Sequence, residues 1–100
     1  MNRVRVTELA HVDMHEALLW YEEKQPGLGE RFLKEVEKHY GILEKRPLSG
    51  QQVEADIRRL VMKIFPYVLI YTYHAEANLV EVFAVHHAAR NPELWRNRIP

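Results

Sequence analysis

The spacing of the apolar residues changes near residue 56, and this change constrains the fold more than any other feature. Between Leu9 and Lys45 apolar residues recur at helical spacing, whereas after residue 56 they alternate with polar residues, which is the period of a β-strand. A run of helices followed by a run of strands is typical of α+β domains. The sequence therefore predicts a helical layer packed on a sheet.

Two amphipathic helices are predicted in the first half, from Leu9 to Lys24 and from about Gly29 to Lys45. Proline disfavours the interior of a helix and suits its first turn, so Pro26 with Gly27 marks the break between them. The apolar stripes of the two helices comprise Ala10, Met14, Ala17, Leu18 and Tyr21, and then Leu28, Phe32, Val36, Tyr40 and Leu43. Together the stripes predict a helical hairpin that buries one face.

Four strands are predicted around this hairpin: Arg3–Thr7, Ile57–Ile64, Val68–Tyr73 and Leu79–Val85. Residues 47–52 are predicted to form a turn-rich link. Because parallel neighbours need a crossover of about a dozen residues or more, the short links between the last three strands require antiparallel pairing. The predicted fold is a small two-layer α+β domain over residues 1–100, in which the helical hairpin packs on a largely antiparallel sheet in the order β-α-α-β-β-β.

The composition excludes several classes of function. Fourteen Lys and Arg balance fourteen Asp and Glu, so the chain lacks the overall positive field of proteins that hold nucleic acid mainly through phosphates. The absence of cysteine excludes disulfide scaffolds, thiolate nucleophiles and Cys-ligated zinc. His11 and His15 have metal-binding spacing, but the H-E-x-x-H pattern and a third ligand are missing, and we expect two solvated side chains on the outer helix face.

Other motifs are missing as well. The chain has no Gly-rich phosphate loop, no G-x-S-x-G and no paired-carboxylate pattern, so we expect no cofactor and no nucleotide hydrolysis, acyl transfer or glycoside cleavage. The longest apolar runs are far shorter than the roughly 20 residues that span a bilayer, and no apolar signal core is present. These features predict a cytoplasmic protein without a membrane partner.

One group of cations and histidines deserves a functional hypothesis. Alternation places Arg59 and Lys63 on the sheet face away from the helices, which is predicted to be an open surface. The last-strand residues predicted to lie on the same face are Glu81, Phe83, Val85 and His87. The alternate residues of that strand, Val82, Ala84 and His86, are predicted to face the core. Together with Arg58 and Arg90, this group could supply the base, the acid and the cation that RNA cleavage requires. The alternative is that the cations are ordinary exposed strand residues and that one histidine is buried and hydrogen-bonded. Trp95 is predicted to pin the C-terminal tail, although an exposed aromatic side chain also suits a partner.

The order of several short motifs resembles the RelE/ParE family of bacterial type II toxins, also called plasmid stabilisation proteins. The motifs are Ala17-Leu18-Leu19-Trp20-Tyr21-Glu22, Pro26-Gly27-Leu28-Gly29-Glu30-Arg31-Phe32, Arg58-Arg59, Phe65-Pro66-Tyr67 with Tyr71, and His87-x-x-Arg90-x-Pro92-x-x-Trp95-x-x-Arg98. The resemblance covers nearly the whole chain. It implies a growth-inhibiting toxin that is neutralised by a small antitoxin, whose C-terminal segment wraps the toxin. It also implies that the toxin contacts operator DNA only through the antitoxin.

Within that family the chain resembles the ParE-like branch, which is associated with DNA gyrase inhibition, more than the RelE-like branch, which cleaves mRNA in the ribosomal A site. Ala89 stands where many relatives carry the first of two arginines, and the net charge is zero, whereas ribosome-acting relatives tend to be basic. The leading hypothesis is a toxin that binds gyrase. Its predicted target-binding residues are Arg58, Arg59, Lys63, His87, Arg90 and Trp95.

Two alternatives stay open. The first is a ribosome-dependent mRNA endoribonuclease in which His87 is the acid or base and Arg59 and Arg90 hold the phosphate. The second is an inactive toxin-like module that only binds its antitoxin. The sequence therefore leaves open whether the chain is an enzyme.

Overall fold

The computed structural model describes residues 1–100 and consists of one five-stranded sheet with two long helices on one face. The helices are α1 (Glu8–Lys24), α2 (Leu28–Lys45) and the short α3 (Glu93–Arg96), and a 3-10 turn spans Ala75–Ala77. The strands are β1 (Arg3–Val6), β2 (Gln51–Glu54), β3 (Ile57–Val61), β4 (Tyr67–His74) and β5 (Leu79–His87). Their spatial order is β1-β5-β4-β3-β2, and every pair is antiparallel except β1 with β5. The predicted α+β architecture is confirmed.

The helical hairpin is held by local contacts at both ends of α1. The Thr7 hydroxyl accepts a hydrogen bond from the Ala10 amide at 3.2 Å and so caps the first turn of α1. At the other end the Glu22 carboxylate accepts from the amides of Gly27 at 2.9 Å and Gly29 at 3.0 Å. A Cβ at Gly29 would lie 2.6 Å from the Leu18 carbonyl oxygen, so only glycine allows the two helices to approach this closely.

The main core lies between the helices and the sheet. Phe32 is at its centre, and its ring centroid lies 5.2 Å from that of Tyr21, 5.1 Å from Phe65 and 5.0 Å from Tyr67. The helical residues predicted for this face pack here, since Ala10, Met14, Ala17, Phe32, Val36 and Leu43 are all buried. His39 is also buried on α2, although no apolar pattern predicted it.

A second, smaller core covers part of the other face of the sheet. Trp95 of α3 is only 3% exposed and packs with Ile57, Val68, Ile70 and Ala84. The prediction that this face is an open surface was therefore wrong in part. The covering helix has only four residues, too few to give a periodic signal in the sequence.

A β-bulge in β5 corrects the predicted alternation of that strand. Ile70 pairs with Ala84 but Tyr71 pairs with Val82, so Phe83 is the extra residue, and it is buried. Beyond the bulge every side chain changes face. Val85 joins the core under the helices, and His86 pairs with Val68 on the opposite face. The predicted faces of Ala84, Val85, His86 and His87 were wrong for this reason, and Ala84 lies in the smaller core.

Two strand boundaries also differ from the prediction. The predicted link contains the edge strand β2, whose four residues are all exposed and so have no apolar alternation to reveal them. β3 ends at Val61 because the chain turns there, with the Met62 amide bonded to the Tyr67 carbonyl at 3.0 Å. Lys63 therefore lies in the turn after β3. None of the helices is long and apolar enough to cross a membrane.

Candidate functional site

A groove of about 760 Å³ runs between α1 and the C-terminal end of β5, and we name it the α1–β5 groove. One wall is formed by residues of α1, and the other by the corner before β4, the end of β5 and the tail. Its lining residues are Asp13, Glu16, Ala17, Trp20, Tyr21, Pro66, Tyr67, Val85, His86, His87, Ala89, Arg90, Leu94 and Arg98. Two of the predicted site residues, His87 and Arg90, line this groove.

An ion pair fixes the floor of this groove. β1 ends at Val6, so the edge of β5 beyond Val82 has no neighbouring strand. Asp13 accepts a hydrogen bond from the Val85 amide at 3.1 Å and pairs with Arg98 at 2.6 and 3.0 Å. Arg98 also donates to the Phe83 carbonyl at 3.1 Å. The pair therefore satisfies the backbone of the bulge and ties the tail to α1.

The two adjacent histidines have different roles. His87 lies edge-on to Tyr67, with ring centroids 5.1 Å apart, and its Nδ1 accepts from the Ala89 amide at 3.1 Å. The neutral ring therefore carries its proton on Nε2, which is free to donate. The Nε2–H of His86, in contrast, donates to the Arg90 carbonyl at 3.1 Å. Burial lowers the pKa of His86, so this side chain is neutral at pH 7.

Two tyrosine hydroxyls in the groove have no protein partner. The hydroxyls of Tyr71 and Tyr73 bind protein acceptors at 2.8 and 2.9 Å, but those of Tyr21 and Tyr67 form no such bond. Burial raises the pKa of both Tyr21 and Tyr67, so both hydroxyls keep their protons at neutral pH. Arg90 is exposed and pairs with no carboxylate, unlike Arg98. The groove thus offers several donors without acceptors.

The predicted site residues do not all converge. His87 and Arg90 share the groove, whereas Arg59 lines a separate pocket of about 250 Å³ on the opposite face, beside His86 and Arg90. Arg58 donates to the Gly50 carbonyl at 2.8 Å and so holds the loop before β2, together with the Tyr71 hydroxyl. Trp95 is buried beneath the second pocket, and Lys63 is exposed in its turn.

Several groove residues were missed by the sequence reasoning. Asp13, Glu16 and Trp20 are spaced i, i+3 and i+7 on α1, a helical spacing that marks a shared face. That spacing is a signal that the sequence itself contains. No group of three or more His, Asp or Glu side chains is placed to hold a metal ion, and the predicted solvated positions of His11 and His15 are confirmed.

Residues 4–92 match the family described as the ParE toxin of the type II toxin-antitoxin system parDE. The chain belongs to the ParE toxin family. Among solved structures it is similar to one described as the chromosomal ParDE TA system from P. aeruginosa, with a TM-score of 0.75 and 12% sequence identity over 87% of this chain and 96% of that one. A search of curated protein sequences gives no significant match. The ParE-like branch predicted from the sequence motifs is thereby confirmed.

Proposed function

We propose that this ParE-family chain, as one toxin domain over residues 1–100, inhibits growth in the cytoplasm by binding DNA gyrase. Its family membership supports a toxin role, and one structural observation favours binding over RNA cleavage. Arg59 and His87 lie on opposite faces of the sheet, as the register of their strands places them, and each lines a pocket that the other does not. This separation carries the proposal.

RNA cleavage requires a base, an acid and a cation around a single phosphate. Arg59 pairs with Ile70, which belongs to the core under Trp95, whereas His87 pairs with Tyr67, which packs under the helices. Arg90 lines both pockets, whereas Arg59 lines only the smaller one and His87 only the α1–β5 groove. The endoribonuclease alternative therefore lacks the convergence that its mechanism needs.

The proposed target-binding surface is the exposed part of the predicted residue set. Arg59, Lys63 and Arg90 are exposed cations without a carboxylate partner, and His87 lies at the rim of the groove. Arg58 and Trp95 contribute indirectly, because one holds the loop before β2 and the other supports the tail. Exposed cations of this kind suit an acidic surface on the target, where they raise the association rate.

The second proposed partner is the cognate antitoxin. Leu9, Val12, Leu19 and Trp20 are between 43% and 54% exposed on the outer side of α1. Exposed apolar residues along a helix suit an amphipathic segment of a partner. We propose that the antitoxin covers this side of α1 and reaches operator DNA on behalf of the pair.

The test compares the two targets directly. We expect the purified chain to inhibit DNA supercoiling by gyrase while ribosome-bound mRNA stays intact. Arg90→Gln should weaken inhibition by roughly 2- to 5-fold, since an exposed charge contributes up to about 1 kcal/mol, and Arg31→Gln, at an exposed position on α2, serves as the matched control. Cleavage of ribosome-bound mRNA with normal supercoiling would overturn the proposal, and harmless expression of the lone chain would favour the inactive module.

A further inference from the structure

The α1–β5 groove concentrates hydrogen-bond donors at one end. The hydroxyls of Tyr21 and Tyr67 have no protein acceptor, the Nε2–H of His87 is free, and Arg90 has no ion-pair partner. Tyr67 lies between the others, with ring centroids 6.2 Å from Tyr21 and 5.1 Å from His87. Unused donors this close together indicate a ligand with several acceptor oxygens.

A phosphate group suits this end better than a single carboxylate. An arginine guanidinium binds two oxygens of a phosphate at once, and the remaining oxygens stay available for neutral donors. Here Arg90 would supply the fork, while His87 and Tyr67 supply single donors. The two oxygens of a carboxylate accept about four hydrogen bonds, which is fewer than the fork of Arg90, the Nε2–H of His87 and the hydroxyls of Tyr21 and Tyr67 donate together.

The rest of the groove has the opposite character. Trp20 on α1 is 54% exposed, and the Lys24 ammonium lies over its ring at 4.9 Å from the centroid, so the aromatic surface that Lys24 leaves uncovered is in contact with solvent. Glu16, on the same helix, is an exposed carboxylate without a cation partner, whereas Asp13 is neutralised by Arg98. An aromatic surface next to a free acceptor fits a planar base together with hydroxyl or amino donors.

We propose that the α1–β5 groove binds a nucleoside 5′-phosphate, with the phosphate at Arg90, His87 and Tyr67 and the nucleoside toward Trp20 and Glu16. The groove volume of about 760 Å³ falls within the size range of small-molecule sites. The zero net charge argues against a long nucleic acid as the ligand, because such binding depends on many phosphate contacts. This site goes beyond the proposed toxin function and does not depend on it.

The first experiment titrates AMP and GMP into the full chain, with calorimetry and tryptophan fluorescence as readouts. We expect saturable binding with a submillimolar Kd, and binding at least about tenfold weaker for adenosine and for ribose 5-phosphate, each of which lacks one half of the ligand. Absence of binding at millimolar AMP and GMP would overturn the proposal. Equal affinity for inorganic phosphate, or Arg90-dependent binding of oligoglutamate without AMP binding, would also overturn it.

The second experiment uses matched variants of the groove. Arg90→Gln and Tyr67→Phe should each weaken AMP binding, Arg90→Gln by about tenfold or more, whereas Arg31→Gln should leave it unchanged. Trp20→Leu should weaken AMP binding but leave ribose 5-phosphate binding unchanged, and equal losses for both ligands would overturn the assignment of the base. Because Arg90 is exposed and unpaired, its variant should keep the thermal unfolding of the parent chain. The assay contains neither gyrase nor ribosomes, so its failure leaves the toxin proposal untouched.

Discussion

The two faces of the sheet are stabilised in different ways. The face under the helices buries a cluster of thirteen residues, several of them aromatic, whereas the opposite face buries only five, of which Trp95 is the single aromatic one. The larger core is built from two long helices that follow each other in the sequence. The smaller one depends on a four-residue helix that the chain brings back from its C-terminal tail.

This difference explains where the candidate site residues lie. Free cations require solvent, and a thinly covered face leaves Arg59 and Arg90 exposed around Trp95. The α1–β5 groove opens where the helical layer ends and the tail begins. Regions with few buried apolar contacts open at lower free energy, so the tail is expected to be the least stable part of both sites.

The largest expected effect breaks the larger core. Phe32→Ala removes a fully buried ring that contacts three other aromatic rings, and we expect a loss of about 4–5 kcal/mol in the free energy of unfolding. Chemical denaturation monitored by circular dichroism measures this loss, with Leu33→Ala at a half-buried neighbouring position as the control. A loss below about 1 kcal/mol would contradict the central role of this ring.

The next effect breaks the smaller core. We expect Trp95→Ala to lower the free energy of unfolding by about 3 kcal/mol, since the ring is almost fully buried but belongs to a cluster of only five buried residues. Hydrogen exchange should then increase mainly in residues 91–100 and along β3, while α1 and α2 keep their protection. Uniform loss of protection over the whole chain would instead show that the two cores unfold together.

A smaller effect tests the link between the two faces. Asp13→Asn and Arg98→Gln each break a partly buried ion pair, and we expect each to cost about 2 kcal/mol. A double-mutant cycle should give a coupling energy of about 1 kcal/mol or more, because both residues serve the same bulge. Additive losses would indicate that each side chain acts alone.

The smallest effect is a pH dependence. Burial lowers the folded-state pKa of His86 below its ordinary value of 6.5, so the folded state favours the neutral ring. The contribution of neutral His86 to the free energy of unfolding is therefore fully present above pH 6.5, and it is lost as the pH falls from 6.5 to the folded-state pKa. The free energy of unfolding should decrease between about pH 7.5 and about pH 5.5, and we expect this decrease to be smaller in His86→Gln than in the parent chain. An identical loss in both proteins would rule out His86 as a source of this dependence.

Local patterns predicted the helices well. The apolar stripes of α1 and α2 span several turns, so their buried faces were correct at Met14, Ala17, Phe32 and Val36. The motif order also predicted the ParE family, which the match over residues 4–92 confirms. By contrast, the single extra residue at Phe83 changed the faces of the histidines, and no pattern in β5 signals it.

Periodicity, turn residues and motif order were sufficient to predict the helical hairpin, the antiparallel pairing of β3, β4 and β5, and the family, because these signals lie within single elements or short motifs. They did not predict β2 or α3, and they did not predict which side chains share a site, since that depends on packing between distant segments. Asp13 and Arg98 are 85 residues apart, yet their ion pair sets the end of β5 and with it the groove that holds His87 and Arg90. The local sequence pattern of either segment does not predict such a contact, because the contact forms only when distant segments of the chain pack together.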